Sequence, residues 1–430
     1  MKKLYNFRLK LKSSGLILGF LFLALSISGA FNKASATSQW AKKYKTGCTT
    51  CHTAFPRLNN YGMRFMMNGY QDPDSDTPDG GKLGKKMVNT YLSIDNLNNF
   101  LGVRLNFTPL RAQTNARTIN GVKETKYSIG ITNWVQFFVA GALSKNVSIF
   151  IEMEFEQAHF KFSWFKFGIH NLAESTLLNF EVGNISPVDY ASYSNRLRQI
   201  GSLKGDIFRI KSSGGATTNQ PEDKTDVSGS RPGLQYYGYK GPVVVWAGVS
   251  PGSVSTDPNN KMHGWAGIKL VIPEEMESKF EGTALTGWIY KGQDASNSST
   301  NQLINSFFRY SIQTNIRYDD FDLQAAYINT SEDNYYLTTT PIEENYNGFA
   351  LIAGKYLVPD KVYLAVGYDK ISYNNPILNN SKKRNFITGS LSYFIQENIR
   401  LGLHTKFDVT SEDFGHVRSN DFQLNVRTMF

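Results

Sequence analysis

The chain has 430 residues, of which 41% are apolar, 13% aromatic and 19% charged. This composition can form a folded core and excludes an intrinsically disordered chain, which would be richer in charge and poorer in aromatic residues. The mean hydropathy of −0.34 argues against a bundle of transmembrane helices. The presence of only two cysteines excludes a disulfide scaffold.

The formal net charge of +10 is concentrated near the N-terminus. The first 36 residues hold six of the 46 basic residues and none of the acidic residues. The remaining chain therefore has 40 basic and 36 acidic residues, a net charge of +4. This mild excess does not predict binding to nucleic acid.

The N-terminus has the pattern of a secretory signal peptide. The basic stretch Lys2–Lys12 precedes the apolar segment Leu16–Ile27, and Ala34-Ser35-Ala36 supplies the small residues of a cleavage site. The apolar segment is short for a membrane anchor, which needs about 20 apolar residues. We predict that residues 1–36 are a signal peptide, cleaved near Ala36; retention as an anchor is the alternative.

The segment Cys48–His52 has the Cys-x-x-Cys-His spacing of an attachment site for c-type haem. In such a site two thiols form thioethers with the porphyrin, and the adjacent imidazole binds the iron. A zinc site would need four ligands, and a thioredoxin-like redox motif would need a βαβ context. We predict a small α-helical cytochrome c domain over residues 37–70, with one covalent haem c held by Cys48 and Cys51 and ligated by His52.

Three methionines follow the motif as candidates for the sixth iron ligand. Met63, Met66 and Met67 lie 11, 14 and 15 residues beyond His52. The chain must pass round the haem edge, which favours Met66 or Met67. A packing role suits each of them equally well; an open sixth position and a histidine from elsewhere are further alternatives.

Residues 71–86 have the composition of a linker, rich in aspartate, glycine and lysine. Asp72, Asp74 and Asp76 alternate as at the start of a calcium-binding loop. However, Thr77 and Leu83 stand where such a loop needs glycine and glutamate. A solvated turn is therefore the expectation.

Residues 87–430 alternate apolar and polar residues again and again, with turn signals between the alternating runs. The clearest case is a hairpin in which Phe308–Tyr318 and Phe321–Tyr327 flank Asp319-Asp320. Strands of about nine to eleven residues, short turns and long polar connections are typical of a transmembrane β-barrel. The chain alternates up to a terminal aromatic residue, Phe430, an ending that serves outer-membrane barrels as an assembly signal.

We predict a mainly β fold, a transmembrane antiparallel β-barrel in the outer membrane, over residues 87–430. At about 21 residues per strand and connection, the barrel has about 16 strands; a large soluble all-β domain is the alternative. Trp134, Trp246 and Trp288 are expected in the aromatic belt at the lipid interface.

An acidic row is predicted on the lumenal side of one strand. Glu152, Glu154 and Glu156 share that side by alternation, and carboxylates are suitable ligands for divalent cations. They form a candidate cation path. The alternative is an ordinary polar wall of a water-filled barrel.

The order of these segments resembles that of the fused monohaem cytochrome–porins, the outer-membrane iron(II) oxidases of iron-oxidising bacteria. The resemblance rests on motifs in the N-terminal segment and on architecture alone over the barrel. Tyr61 stands where the family is expected to have phenylalanine. The motifs are Cys48–His52, Phe55-Pro56-Arg57-Leu58, Tyr61-Gly62, Phe65 and Asn68-Gly69-Tyr70.

The resemblance implies an oxidoreductase that takes one electron from extracellular Fe(II). The electron would pass through the haem to a periplasmic c-type cytochrome or a similar electron carrier. No catalytic residue beyond the haem would be required. Two other functions stay open: an outer-membrane electron conduit for another donor or acceptor, and a diffusion porin with a structural haem plug.

Overall fold

The computed structural model describes most of the chain after the predicted signal peptide. That peptide and most of the predicted linker, including Asp76, Thr77 and Leu83, lie outside the described residues. These residues are 38–74, 86–87, 93–94, 99–117, 123–156, 159–194, 197–199, 207, 227–252, 261–295, 303–335, 337–374, 383–410 and 417–430.

The N-terminal part contains short elements only. Helix α1 begins after Ser38, whose hydroxyl accepts a hydrogen bond from Ala41 N, and helix α2 begins after Asn59, which accepts one from Gly62 N. Neither helix has the length and apolar character needed to cross a membrane, and this holds for every helix among the described residues. The elements are α1 Gln39–Tyr44, a 3-10 helix Cys48–Thr50, β1 His52–Ala54, β2 Arg57–Leu58, α2 Asn60–Met67, β3 Lys86–Met87 and β4 Ser93–Ile94.

Sixteen antiparallel strands, β5 to β20, form a closed barrel in which neighbours in the chain are neighbours in the sheet. The ring closes where β20 pairs with β5. This confirms the predicted barrel of about 16 strands. The strands are β5 Leu101–Arg117, β6 Lys123–Ser144, β7 Val147–Glu156, β8 His159–Ile169, β9 Asn179–Ile185, β10 Arg231–Lys240, β11 Val243–Ser250, β12 His263–Val271, β13 Ala284–Ala295, β14 Ile304–Tyr318, β15 Phe321–Glu332, β16 Glu344–Val358, β17 Val362–Tyr373, β18 Lys383–Gln396, β19 Ile399–Asp408 and β20 Val417–Met429.

The alternation of side chains gives the barrel an apolar outer face and a polar inner face. In β14, Phe308 and Ile312 are exposed on the outside, whereas Arg309, Ser311 and Gln313 are buried on the inside. This is the pattern of a barrel whose outer face contacts lipid. It is also the reason why an alternating sequence predicted the strands correctly.

Two expectations about the strands are wrong. Most strands exceed the expected nine to eleven residues, and β6 has 22. Trp246 and Trp288 lie inside the barrel, 1% and 5% exposed, and not in an interfacial belt.

The two ends of the barrel differ in their connections. Lys145-Asn146, Gly241-Pro242, Asp319-Asp320 and Glu397-Asn398 are tight turns at one end, which we call the short-turn end. The C-terminal residue Phe430 also lies at this end. The connection from β9 to β10 leaves the opposite end and is the longest in the barrel.

Part of that long connection folds back into the barrel. We call residues 186–194 and 197–199 the lumenal segment. Its backbone is held by inward side chains of the wall: Trp246 Nε1 donates to Pro187 O at 2.9 Å, and Gln324 Nε2 donates to Ser192 O at 2.6 Å. The lumen is therefore partly filled from within.

Residues 38–74 occupy the interior of the barrel at the short-turn end, and we call them the plug. The plug forms hydrogen bonds with strands and turns at many positions around the barrel. The hydrogen-bonded pairs between plug and barrel include Gln71–Lys145, Asn68–Asn171, Met67–Tyr237, Arg64–Glu274, Asn60–Glu281, Leu58–Arg317, Arg57–Asp322, Thr53–Tyr356, Cys48–Glu397 and Phe55–Arg400.

Candidate cofactor site

The plug and the barrel wall together line a cavity at the short-turn end that opens to solvent. Both cysteines and His52 lie on its wall. From the plug, aromatic side chains including Trp40, Tyr44 and Phe65 complete the lining. The wall contributes residues of β18, β19 and β20. A concave, largely apolar lining with a few polar groups is typical of cofactor sites.

The local sequence brings the two thiols to one side of a single turn. Cys48–Thr50 forms a 3-10 helix, and Cys51 N donates to Cys48 O at 3.2 Å. His52 then starts the short strand β1, so the chain turns away directly after the second thiol. The spacing of the motif thus places both cysteines on one turn, with His52 directly after it.

Helix α2 supports this turn from the other side. Asn59 Nδ2 donates to Thr49 O at 3.1 Å and to Thr50 O at 2.9 Å, and Asn59 N donates to Cys51 O at 3.0 Å. Gly62 lies so close that a Cβ atom there would be 2.1 Å from Cys51 O. Asn59 and Gly62 therefore fix the backbone of the motif.

The ionisation of the motif residues suits a covalently attached haem. Burial raises the pKa of Cys48 to about 11 and that of Cys51 to about 12, so both thiols stay neutral near pH 7. Burial lowers the pKa of His52 to about 4, which keeps the imidazole in the neutral form that binds metals.

Tyr61, the residue that departs from the resembling family, has a defined partner. Its hydroxyl donates to Asp72 Oδ1 at 3.0 Å, at the start of the predicted linker. Arg64 forms an ion pair with Asp74 in the same region. These contacts agree with a solvated turn there. A phenylalanine at position 61 would lack the hydrogen bond to Asp72.

The candidate sixth ligands do not lie on the cavity. Met67 is buried in the core between the plug and the wall, and Met66 packs partly buried between two apolar clusters. Met63 and Met67 line a different cavity, next to Lys269. Met429, at the end of β20, is the methionine that lines the cavity of Cys48 and Cys51.

Of the predicted acidic row, Glu152 and Glu154 point into the lumen from β7, and their carboxylates are engaged. Glu152 is buried, pairs with Arg104 at 2.8 Å and accepts a hydrogen bond from Gln136. Glu154 also accepts a hydrogen bond from Gln136, and the side chain of Glu156 lies outside the described residues. Within the described part of the chain, no three His, Cys, Asp or Glu residues are grouped to hold a metal ion.

Three residues of the cavity were missed by the analysis of the sequence. Arg400 of β19, together with Arg427 and Met429 of β20, reaches the cavity from the far end of the chain. Their inward position follows from alternation, and that signal could have found the face. Their height in the barrel depends on strand register and plug docking, which no local pattern reveals.

Comparison with solved structures identifies similar barrels at low sequence identity. The anion-selective porin from Comamonas acidovorans matches with a TM-score of 0.53 and 11% identity over 77% of this chain and 99% of that chain. OmpT of Vibrio cholerae matches with a TM-score of 0.51 and 10% identity over 80% and 99%.

Salmonella typhi OmpF, in a complex with daunomycin, matches with a TM-score of 0.50 and 10% identity over 77% of this chain and 97% of that chain. No protein-family model and no curated protein sequence matches the chain. At these identities the likeness concerns the fold. The chain therefore has the closed antiparallel barrel fold of the outer-membrane porins.

Proposed function

We propose that the protein is an outer-membrane cytochrome–porin that transfers single electrons from extracellular Fe(II) to a periplasmic electron carrier. The observation that carries the proposal is that the Cys-x-x-Cys-His motif faces a cavity lined jointly by the plug and the barrel wall. A bound haem c would supply reversible one-electron chemistry at this position.

Different residues of the plug would attach such a cofactor, ligate its iron and shield it from water. Cys48 and Cys51 supply the two thioether links, and His52 offers a neutral imidazole whose Nδ1 atom is buried without a hydrogen-bond partner among the described residues. Trp40 and Phe65 pack edge to face with ring centroids 5.6 Å apart and exclude water from one side of the cavity. A dry surround stabilises the reduced, less charged state of a haem.

The position of the motif supports delivery of electrons to the periplasm. In bacterial outer-membrane barrels the short turns face the periplasm and the long connections face outward. The cavity lies at the short-turn end, and Cys48 and Cys51 are partly exposed there. A soluble carrier approaching from the periplasm would therefore meet this end of the molecule.

The packing of the lumen argues against a diffusion porin. The plug contacts the wall round the barrel, and its Arg57 is fully buried against Asp322. The lumenal segment fills further space through contacts such as Tyr193 N to Gln313 Oε1 at 2.7 Å. Both parts therefore narrow the path of a solute through the barrel.

Fe(II) as the donor rests on the family resemblance, and a two-sided vesicle assay tests it. Haem-loaded protein is inserted into liposomes that contain an oxidised soluble c-type cytochrome, and Fe(II) is added outside without oxygen. We expect the ferrous c-type absorption bands to appear in the protein and then in the trapped cytochrome.

The control for this assay is the Cys48→Ser, Cys51→Ser variant, which keeps the barrel and removes both attachment points. It should give no reduction of the trapped cytochrome. If Fe(II) leaves the haem ferric while dithionite reduces it, Fe(II) is not the donor. Equal leakage of a small neutral solute with and without the plug would support the diffusion porin.

A further inference from the structure

Two arginines of the barrel wall face each other at the cavity. Arg400 of β19 and Arg427 of β20 are directly opposite in the strand register, and both side chains point inward. Each is 3% exposed. Like charges directly opposite on one face of a sheet repel each other, so this pair needs a compensating group.

The hydrogen bonds of the described residues leave part of both guanidinium groups unused. Arg400 donates to Phe55 O at 2.8 Å and to Asn425 Oδ1 at 3.3 Å, but its Nε atom has no partner. Arg427 stacks over the ring of Phe55 at 4.5 Å, and its Nε and Nη2 atoms have no partner. Buried donors of this kind are normally satisfied.

The nearby charges add to the excess of positive charge. Arg427 is within electrostatic reach of Arg104 and Arg198 as well as Arg400, with Glu152 as the neighbouring carboxylate. Glu152 is already bound to Arg104. Among the described residues neither Arg400 nor Arg427 has an ion-pair partner, and a buried cation without one is strongly unfavourable.

A haem attached at Cys48 and Cys51 would bring the missing negative charge. The thioether links would use the vinyl substituents, so the two propionate groups would remain free to meet charged residues of the cavity lining. Arginine is the residue best suited to bind carboxylates through two parallel hydrogen bonds.

We propose that Arg400 and Arg427 bind the propionate groups of the haem, so that the barrel wall completes a site begun by the plug. This inference rests on the haem attachment proposed above, but not on Fe(II) as the donor. In this arrangement the plug holds the cofactor covalently and the wall holds it by charge. The same contact ties the plug to β19 and β20.

Redox titration with mediators tests this inference without using iron. Loss of a positive charge beside the haem favours the ferric state, so Arg427→Gln and Arg400→Gln should shift the midpoint potential to lower values. Arg427→Lys retains the charge and should restore part of the shift. Arg111→Gln is the matched control, because Arg111 is an inward arginine paired with Asp421 away from the cavity.

Resonance Raman spectra provide a second readout for each variant. The propionate bending modes should move in Arg427→Gln and Arg400→Gln and stay unchanged in Arg111→Gln. The inference is overturned if potentials and propionate modes of all three variants equal those of the wild type. A wild-type protein without covalent haem would overturn it as well.

A haem-free background covers the case in which a variant folds poorly. In Cys48→Ser, Cys51→Ser protein, Arg427→Gln should raise the urea concentration at half-unfolding, because it relieves repulsion between Arg427 and Arg400. In the haem-bearing protein the same substitution should lower it. A change of the same sign in both backgrounds would indicate a purely structural arginine and contradict the proposal.

Discussion

Arg57 of the plug and Asp322 of β15 form a buried ion pair inside the barrel, with Arg57 Nη2 2.7 Å from Asp322 Oδ1. Arg57 Nε also donates to the carboxylate. The remaining guanidinium nitrogen, Nη1, donates to Leu197 O at 2.6 Å. One side chain therefore joins the plug, the barrel wall and the lumenal segment.

Loss of this arginine is expected to loosen the plug. Arg57→Met removes the closer partner of the buried Asp322 and leaves it only the contact with Arg317 at 3.9 Å, and breaking a buried ion pair costs about 3–5 kcal/mol. Conductance of single channels in planar bilayers measures the result, and we expect a higher open conductance than in the wild type. Arg57→Met, Asp322→Leu should recover only part of the loss, because Arg317 then loses its contact with Asp322.

Arg64 offers a matched control on the same plug. It pairs with Asp74 and Glu274, whose side chains are 46% and 54% exposed. Exposed ion pairs contribute about 0–1 kcal/mol, so Arg64→Met should leave the conductance unchanged. Equal conductance changes in the Arg57 and Arg64 variants would show that burial of the pair does not secure the plug.

Gly62 is expected to be required for haem attachment. A Cβ atom in Gly62→Ala would clash with Cys51 O, and the backbone shift that relieves such overpacking costs about 1–3 kcal/mol. The ratio of covalent haem to protein after denaturation should therefore fall. Gly287→Ala in β13 is the control, because open space surrounds its Cβ position. Equal haem content in both variants would contradict the supporting role of α2.

Spectroscopy of the oxidised haem can show which of Met66, Met67 and Met429, if any, is the sixth ligand of the iron. Met66 and Met67 lie away from the cavity, so Met66→Leu and Met67→Leu should leave the thioether–iron charge-transfer band as it is in the wild type. Met429→Leu should alter that band if a thioether is bound. Loss of the band in Met66→Leu or Met67→Leu instead would support the ligand predicted from the sequence.

His170 is expected to make docking of the plug depend on pH. This residue follows β8 at the short-turn end, where its Nδ1 atom is 2.6 Å from Tyr237 Oη, and that hydroxyl donates to Met67 O. Burial lowers the pKa of His170 to about 4, below its ordinary value of 6.5. Above pH 6.5 the ring is neutral in both folded and unfolded states, so its effect on stability is zero.

As the pH falls below 6.5, the unfolded state binds a proton that the folded state does not bind. The free energy of unfolding should therefore fall by about 3 kcal/mol between pH 6.5 and pH 4 and then level off. Urea unfolding at a series of pH values measures this. His170→Gln should lack this part of the pH dependence, and identical slopes for both proteins would refute the assignment.

The sequence was sufficient for features that are encoded over short distances. Alternation predicted β14, β15 and the turn Asp319-Asp320, because a strand in a barrel exposes every second side chain to lipid. The Cys-x-x-Cys-His spacing of Cys48–His52 likewise identified the candidate haem motif from neighbouring residues alone. Each of these features depends on residues that are neighbours in the chain.

The position of the plug could not be predicted in the same way. Arg57 and Asp322 are 265 residues apart, and their pairing depends on strand register and on the inward fold of the lumenal segment. The apolar residues of that segment, such as Val188 and Leu197, resemble those of any loop that packs on a core. Met66 and Met67 were favoured by chain length alone, which does not reveal the direction of a side chain.

The cavity is lined both by Trp40 of the plug and by Met429 of β20. It is complete only when β20 is paired with β5 and the ring is closed. A haem linked to the plug before the ring closes would enter its final surroundings when β20 pairs with β5. The resulting shift of its absorption bands would then report closure of the barrel in the living cell.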